Sequence, residues 1–122
     1  MVRPAAASKT KSLSVKIAIA LLLLIGAASA AQRTQTFTGT ISDDMCATAD
    51  HSRMRMGSTD AECVTACVSS HGAAYVLYDG KNVYTLSGSE APEKFAGRKV
   101  NVVGALDAKT KTIRVDSITA AP

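Results

Sequence analysis

The chain has 122 residues, 47% of them hydrophobic, with 14 Lys and Arg against 10 Asp and Glu. Four of the basic residues, Arg3, Lys9, Lys11 and Lys16, precede residue 17, where no acid stands, so the rest of the chain carries ten charges of each sign. The basicity therefore belongs to the leading segment, and a net-neutral body excludes a nucleic-acid or heparin footprint.

Residues 1–30 read as an export signal. The four basic residues form an n-region, Ile17–Ile25 is an unbroken apolar run, and Ala28-Ser29-Ala30 offers the small-x-small pattern of a signal peptidase site. Cleavage is expected after Ala30, with Ala31 as the near alternative. The apolar run is shorter than the roughly 20 residues of a bilayer span, so a cleaved signal is expected over the alternative of an uncleaved membrane anchor, with membrane contact only through this segment. The expected compartment is periplasmic or extracellular.

Residues 31–122 then form one small domain with no Trp and five aromatics, Phe37, Tyr75, Tyr78, Tyr84 and Phe95. A core of that size is marginal without a staple or a metal. Thr36–Ser42 alternates as a half-buried strand, with Phe37, Gly39 and Ile41 on one face; Gly39 signals a bulge, a bend or a close backbone approach. Asp43-Asp44 ends it; the two acids could bind a cation, but adjacent acids after a strand usually form a solvated turn. Residues 45–57 have neither helical nor strand period and read as an irregular loop. Thr59-x-x-Glu62 is a capping box, predicting a helix from Asp60 to Ser69 or Ser70 with Gly72 at its stop.

Ala73–Tyr78 and Val83–Leu86 are predicted strands joined by an Asp79-Gly80 hairpin. Ser89 is placed to cap a short helix, Glu90–Ala96, with Pro92 in its first turn and Gly97 at its end. Lys99–Leu106 and Thr112–Ile118 are the last strands. Val100, Val102 and Gly104 share a face of the first, and Ile113, Val115 and Ser117 share a face of the second. The expected architecture is mainly β: a five-stranded OB-like small barrel, with a helix-bearing, Cys-rich insert between strands 1 and 2 and a short helix between strands 3 and 4. A sheet with a helix packed on one side is the rival.

Three cysteines, Cys46, Cys63 and Cys67, are an odd number for an exported chain. Cys63, Cys67 and His71 fall at i, i+4 and i+8, on one helix face if the helix reaches His71. Side chains four apart stand roughly 5–6 Å apart at Cβ, against roughly 3.5–4.5 Å for a disulfide. A bridge within the helix is thus strained, and Cys46 is the better disulfide partner for either. The other readings are a copper or zinc site from Cys46, Cys63, Cys67 and His51 or His71, and a redox-active or intermolecular thiol. Met54 and Met56 would suit copper(I), although methionines more often fill gaps. His71 also reads as a helix C-terminal residue favoured by the dipole.

The segments TFTGTISDDMC, CVTACVSSHGAAYVLYDGKNVYTL, FAGRKVNVVGAL and TIRVDSI resemble a family of small exported bacterial proteins known as a domain of unknown function. The resemblance covers most of residues 31–122, and Cys63-x-x-x-Cys67-Val68 followed by Gly72 and Tyr75 is its most specific part. It implies an OB-like fold and an exported location, and it supplies no reaction.

No zinc-protease, serine-hydrolase, phosphate-loop or EF-hand pattern is present. The three tyrosines are expected to cover the barrel wall rather than stack bases. The sequence thus points to a non-enzymatic binding module held by one disulfide, its small ligand or protein partner unspecified. The alternative is a metal-binding protein, and thiol oxidoreductase activity stands behind both.

Overall fold

The computed structural model describes residues 32–88 and 90–122; residues 1–31, where an export signal is expected, and Ser89 lie outside the described residues. Among the described residues, five strands and one helix form in the order β1 (Thr34–Asp43), α1 (Asp60–His71), β2 (Tyr75–Tyr78), β3 (Val83–Ser87), β4 (Lys99–Asp107) and β5 (Thr112–Ala120). The strands close into a hydrogen-bonded ring, β1-β2-β3-β5-β4, which β4 completes by pairing with β1. β3 and β5 run parallel and the other pairs are antiparallel, so the sheet is mixed. Closure leaves no strand with a free edge along its whole length, which a short chain without a second layer needs.

The strand period explains the core. Ile41, Leu77, Val100, Val102, Ile113, Val115 and Ile118 point into one cluster, and Phe37, Tyr75, Tyr84, Leu86, Phe95 and Leu106 pack against it. Phe37 and Tyr84 meet tilted, with ring centroids 5.5 Å apart. The tyrosines thus line the core's margin, and the Tyr78 hydroxyl donates to the Gly80 carbonyl at 3.0 Å. Gly39 is a close approach: a Cβ there would run into the Tyr78 carbonyl across the β1–β2 pair.

The expected inward face of β5 shifts partway along. Val103 pairs with Ser117 but Gly104 pairs with Val115, so Asp116 is an extra residue opposite none. That bulge flips the alternation, and Ile118 rather than Ser117 reaches the core.

The helix forms as the capping box predicts. Glu62 N donates to Thr59 Oγ1 at 3.2 Å, and Glu62 Oε2 accepts from Thr59 N at 3.2 Å and Ser58 N at 2.7 Å. Gly72, at φ 67°, closes the C-terminus, with its N–H on the Val68 carbonyl and that of Ala73 on the Cys67 carbonyl. α1 packs against β1 and buries Cys63, Val64 and Cys67. Ser42 and its register partner Val76, on the phase opposite to Ile41 and Leu77, are buried as well.

One connection forms as expected and one does not. The Asp79-Gly80 hairpin is a four-residue loop, Asp79–Asn82, in which Asp79 Oδ1 accepts from Lys81 N and Asn82 N at 2.8 and 2.6 Å. Those two N–H groups, Asn82's foremost, hold the Asp79 carboxyl below its ordinary range. The short helix between β3 and β4 is only a 3-10 turn, Pro92–Phe95, whose first residue follows Ala91 without a side-chain cap. Among the described residues no helix is long and apolar enough to cross a membrane.

Candidate metal centre

The segment joining β1 to α1 folds back against the end of β1. Asp43 is the last residue of that strand, and it is fully buried rather than a solvated turn. It continues the inward phase of Phe37, Gly39 and Ile41. Its Oδ1 accepts from Met45 N and Cys46 N, both at 3.0 Å, so the carboxyl caps the turn that follows it. The Ser42 hydroxyl donates to the Cys46 carbonyl at 2.6 Å, and Ala49 N donates to the same oxygen at 2.9 Å. Ala49 sits at φ 59°, a left-handed conformation costing an alanine about 1–2 kcal/mol. This tight path holds Cys46 and His51 beside Asp43.

Asp43, Cys46 and His51 form one buried group in which a carboxyl oxygen, a thiol sulfur and an imidazole nitrogen all lie within 4.8 Å of one another. Two polar atoms there have no hydrogen-bond partner: Asp43 Oδ2 and His51 Nδ1. Burying such atoms unpaired costs about 1–3 kcal/mol each, so their shared location marks a site with a requirement. Ligand atoms around a single tetrahedral ion at about 2.0–2.3 Å stand about 3.3–3.8 Å apart. The group therefore needs only a small contraction to enclose one.

Cys63 and Cys67 border this group from α1, both fully buried. The Cys63 thiol points at the Gly57 carbonyl, 3.5 Å away. Burial pushes the Cys67 thiol up, and the negative charge of Asp43 followed by Cys46 and Cys63 pushes it further. Cys46 is raised in the same way, by burial first and then by Asp43, Cys63 and Asp50. Neutral, buried thiols of this kind are poor nucleophiles.

The residues singled out from sequence divide accordingly. Cys46 and His51 come together in the buried group, with Cys63 and Cys67 alongside. His71 is exposed in the last turn of α1 and takes no part in the tight group. All three cysteines carry free thiols, so the expected disulfide is not formed. Asp43 is the member that sequence reasoning passed over. Its signal was the alternation Phe37, Gly39, Ile41, Asp43, which keeps the acid on the buried face. Of the two methionines considered for copper, Met54 lines a cleft on Cys46 and Met56 lines a different groove.

No protein family, curated protein or solved structure matches the chain.

Proposed function

We propose that this is a non-enzymatic, exported domain of OB type that binds a thiophilic metal ion, copper or zinc, through Asp43, Cys46 and His51, with Cys67 as the fourth ligand. The observation that carries the reading is the pair of unpartnered buried atoms, Asp43 Oδ2 and His51 Nδ1, in one group with the Cys46 thiol. A cation satisfies both and offsets the charge of Asp43, and sulfur with imidazole is a donor set that zinc and copper favour over hard oxygen-seeking ions. Cys67 is taken as the fourth ligand because it is fully buried on α1 beside the group, with its thiol within reach of the Asp43 carboxyl. Metal ligation also gives two of the three thiols, Cys46 and Cys67, a common use in a compartment that would otherwise oxidise them.

The OB assignment rests on the ring order β1-β2-β3-β5-β4 with its parallel β3–β5 pair. Its variation is that the helix lies between β1 and β2, and only a 3-10 turn stands between β3 and β4. The basic, then apolar, then small-residue order of residues 1–30 supports export. Raised, buried thiols and the C-x-x-x-C spacing speak against thiol exchange as the activity.

Elemental analysis of reduced protein purified without chelator tests the reading. About one metal ion per chain is expected, lost in Cys46→Ala and His51→Ala and retained in His71→Ala. Metal retained by both of the first two variants, or none in the parent protein, contradicts it.

A second reading, a site for a small organic ligand or a protein partner, is favoured by a groove between α1 and the 3-10 turn. Met56, Ala61, Thr65, Ala66, Ala96 and Arg98 are among its walls. A ligand screen read by NMR should then perturb Ala61–Ser69 together with Pro92–Arg98; shifts confined to other surfaces contradict it.

A further inference from the structure

We infer that the metal is copper(I), and that it enters through a thioether-lined cleft formed by Met45 and Met54 over Cys46. This inference rests on the metal-binding reading above and names its ion and its route. The cleft is lined by Asp44, Met45, Cys46, Thr48, Asp50, Arg53 and neighbouring residues. Cys46 is the one residue common to this cleft and the buried group of Asp43, Cys46 and His51. An ion arriving through this cleft therefore meets Cys46 before Asp43 or His51, neither of which lines it.

Met45 and Met54 are 42% and 44% exposed, against a fully buried Leu77 and Ile113, so they are not filling the core. Exposing two flexible apolar side chains at the rim of one cleft costs hydrophobic free energy that a core position would recover. Their chemistry supplies a use. A thioether is a soft, neutral donor that holds copper(I) and has little affinity for zinc. Two acids against a single arginine at the same cleft, Asp44 and Asp50 with Arg53, give the mouth a negative balance that draws cations. The cleft holds about 560 Å³. At about 30 Å³ per water this admits an ion still bearing ligands from its carrier, so the thioethers can take it over by exchange before Cys46 does.

The test uses anaerobic, reduced full-length protein and two probes, a copper(I) chelate and zinc(II), with the double variant Met45→Leu/Met54→Leu. Leucine keeps the apolar volume and removes both sulfurs, so the fold is retained. Copper(I) transfer from the chelate is expected to slow by about tenfold in the variant, while the rate of zinc(II) uptake is unchanged. A copper(I) rate within threefold of the parent protein overturns the entry route and leaves the metal site standing. Equal slowing for zinc overturns the choice of copper(I). Failure of the parent protein to bind either ion removes the underlying metal reading, and with it this inference.

Discussion

Asp43 is the residue on which the site turns, because it does two jobs with two oxygens. Oδ1 caps the turn through Met45 N and Cys46 N, and Oδ2 is left for an ion. The two jobs separate experimentally. Asp43→Asn keeps an oxygen for the cap, so the protein should fold while metal affinity, measured by competition titration, falls by at least about 10–100-fold. Asp43→Ala removes the cap as well and should cost a further 1–3 kcal/mol or so of stability in denaturant unfolding. At this scale the cysteines and His51 were legible from residue type alone. Asp43 was legible only through strand phase, since adjacent acids after a strand usually face water. His51 could be named but not placed, because its position depends on a left-handed alanine in a segment without period.

The elements were the most legible part, where local chemistry determines them. The capping box of α1 is spelled by Thr59 and Glu62, and Gly72 spells its stop. Thr59→Ala should cost about 1 kcal/mol, lowering Tm by about 4–8 °C in a domain of this size. Elements set by contacts far along the chain were less legible. The β5 bulge at Asp116 depends on register with β4, which alternation within β5 does not reveal. The expected helix after β3 shrinks to one turn because Gly97, at φ 72°, must lie against the first turn of α1. A Cβ on Gly97 would stand 2.7 Å from Ala61 N. Gly97→Ala should therefore destabilise by about 1–3 kcal/mol, more than a surface substitution, as read by thermal unfolding.

At the scale of the molecule, ring closure allows one small cluster of aliphatic residues to stabilise the chain while α1 and the β1–α1 segment hold polar groups in a dry place. The five-stranded count and the strand positions were legible from alternation, whereas the ring order and the parallel β3–β5 pair were not, because pairing between distant strands leaves no local signal. The thiols link this architecture to pH. Cys46 and Cys67 are raised in the fold, so the unfolded chain releases their protons first. The metal-free protein should keep its full thiol contribution below the ordinary value of 9.0 and lose it as pH climbs through that value toward the raised folded ones. Metal binding does the reverse, since each displaced thiol proton strengthens apparent affinity by about tenfold per pH unit. Tm of the loaded protein minus Tm of the free protein should therefore widen from pH 6 to pH 8. The most direct test of the metal centre is X-ray absorption at the edge of the bound ion in the reduced protein. The account predicts a first shell mixing sulfur at about 2.3 Å with nitrogen or oxygen at about 2.0–2.2 Å, its sulfur share reduced in Cys46→Ala. A shell of oxygen and nitrogen alone, or one unchanged by that substitution, would contradict it.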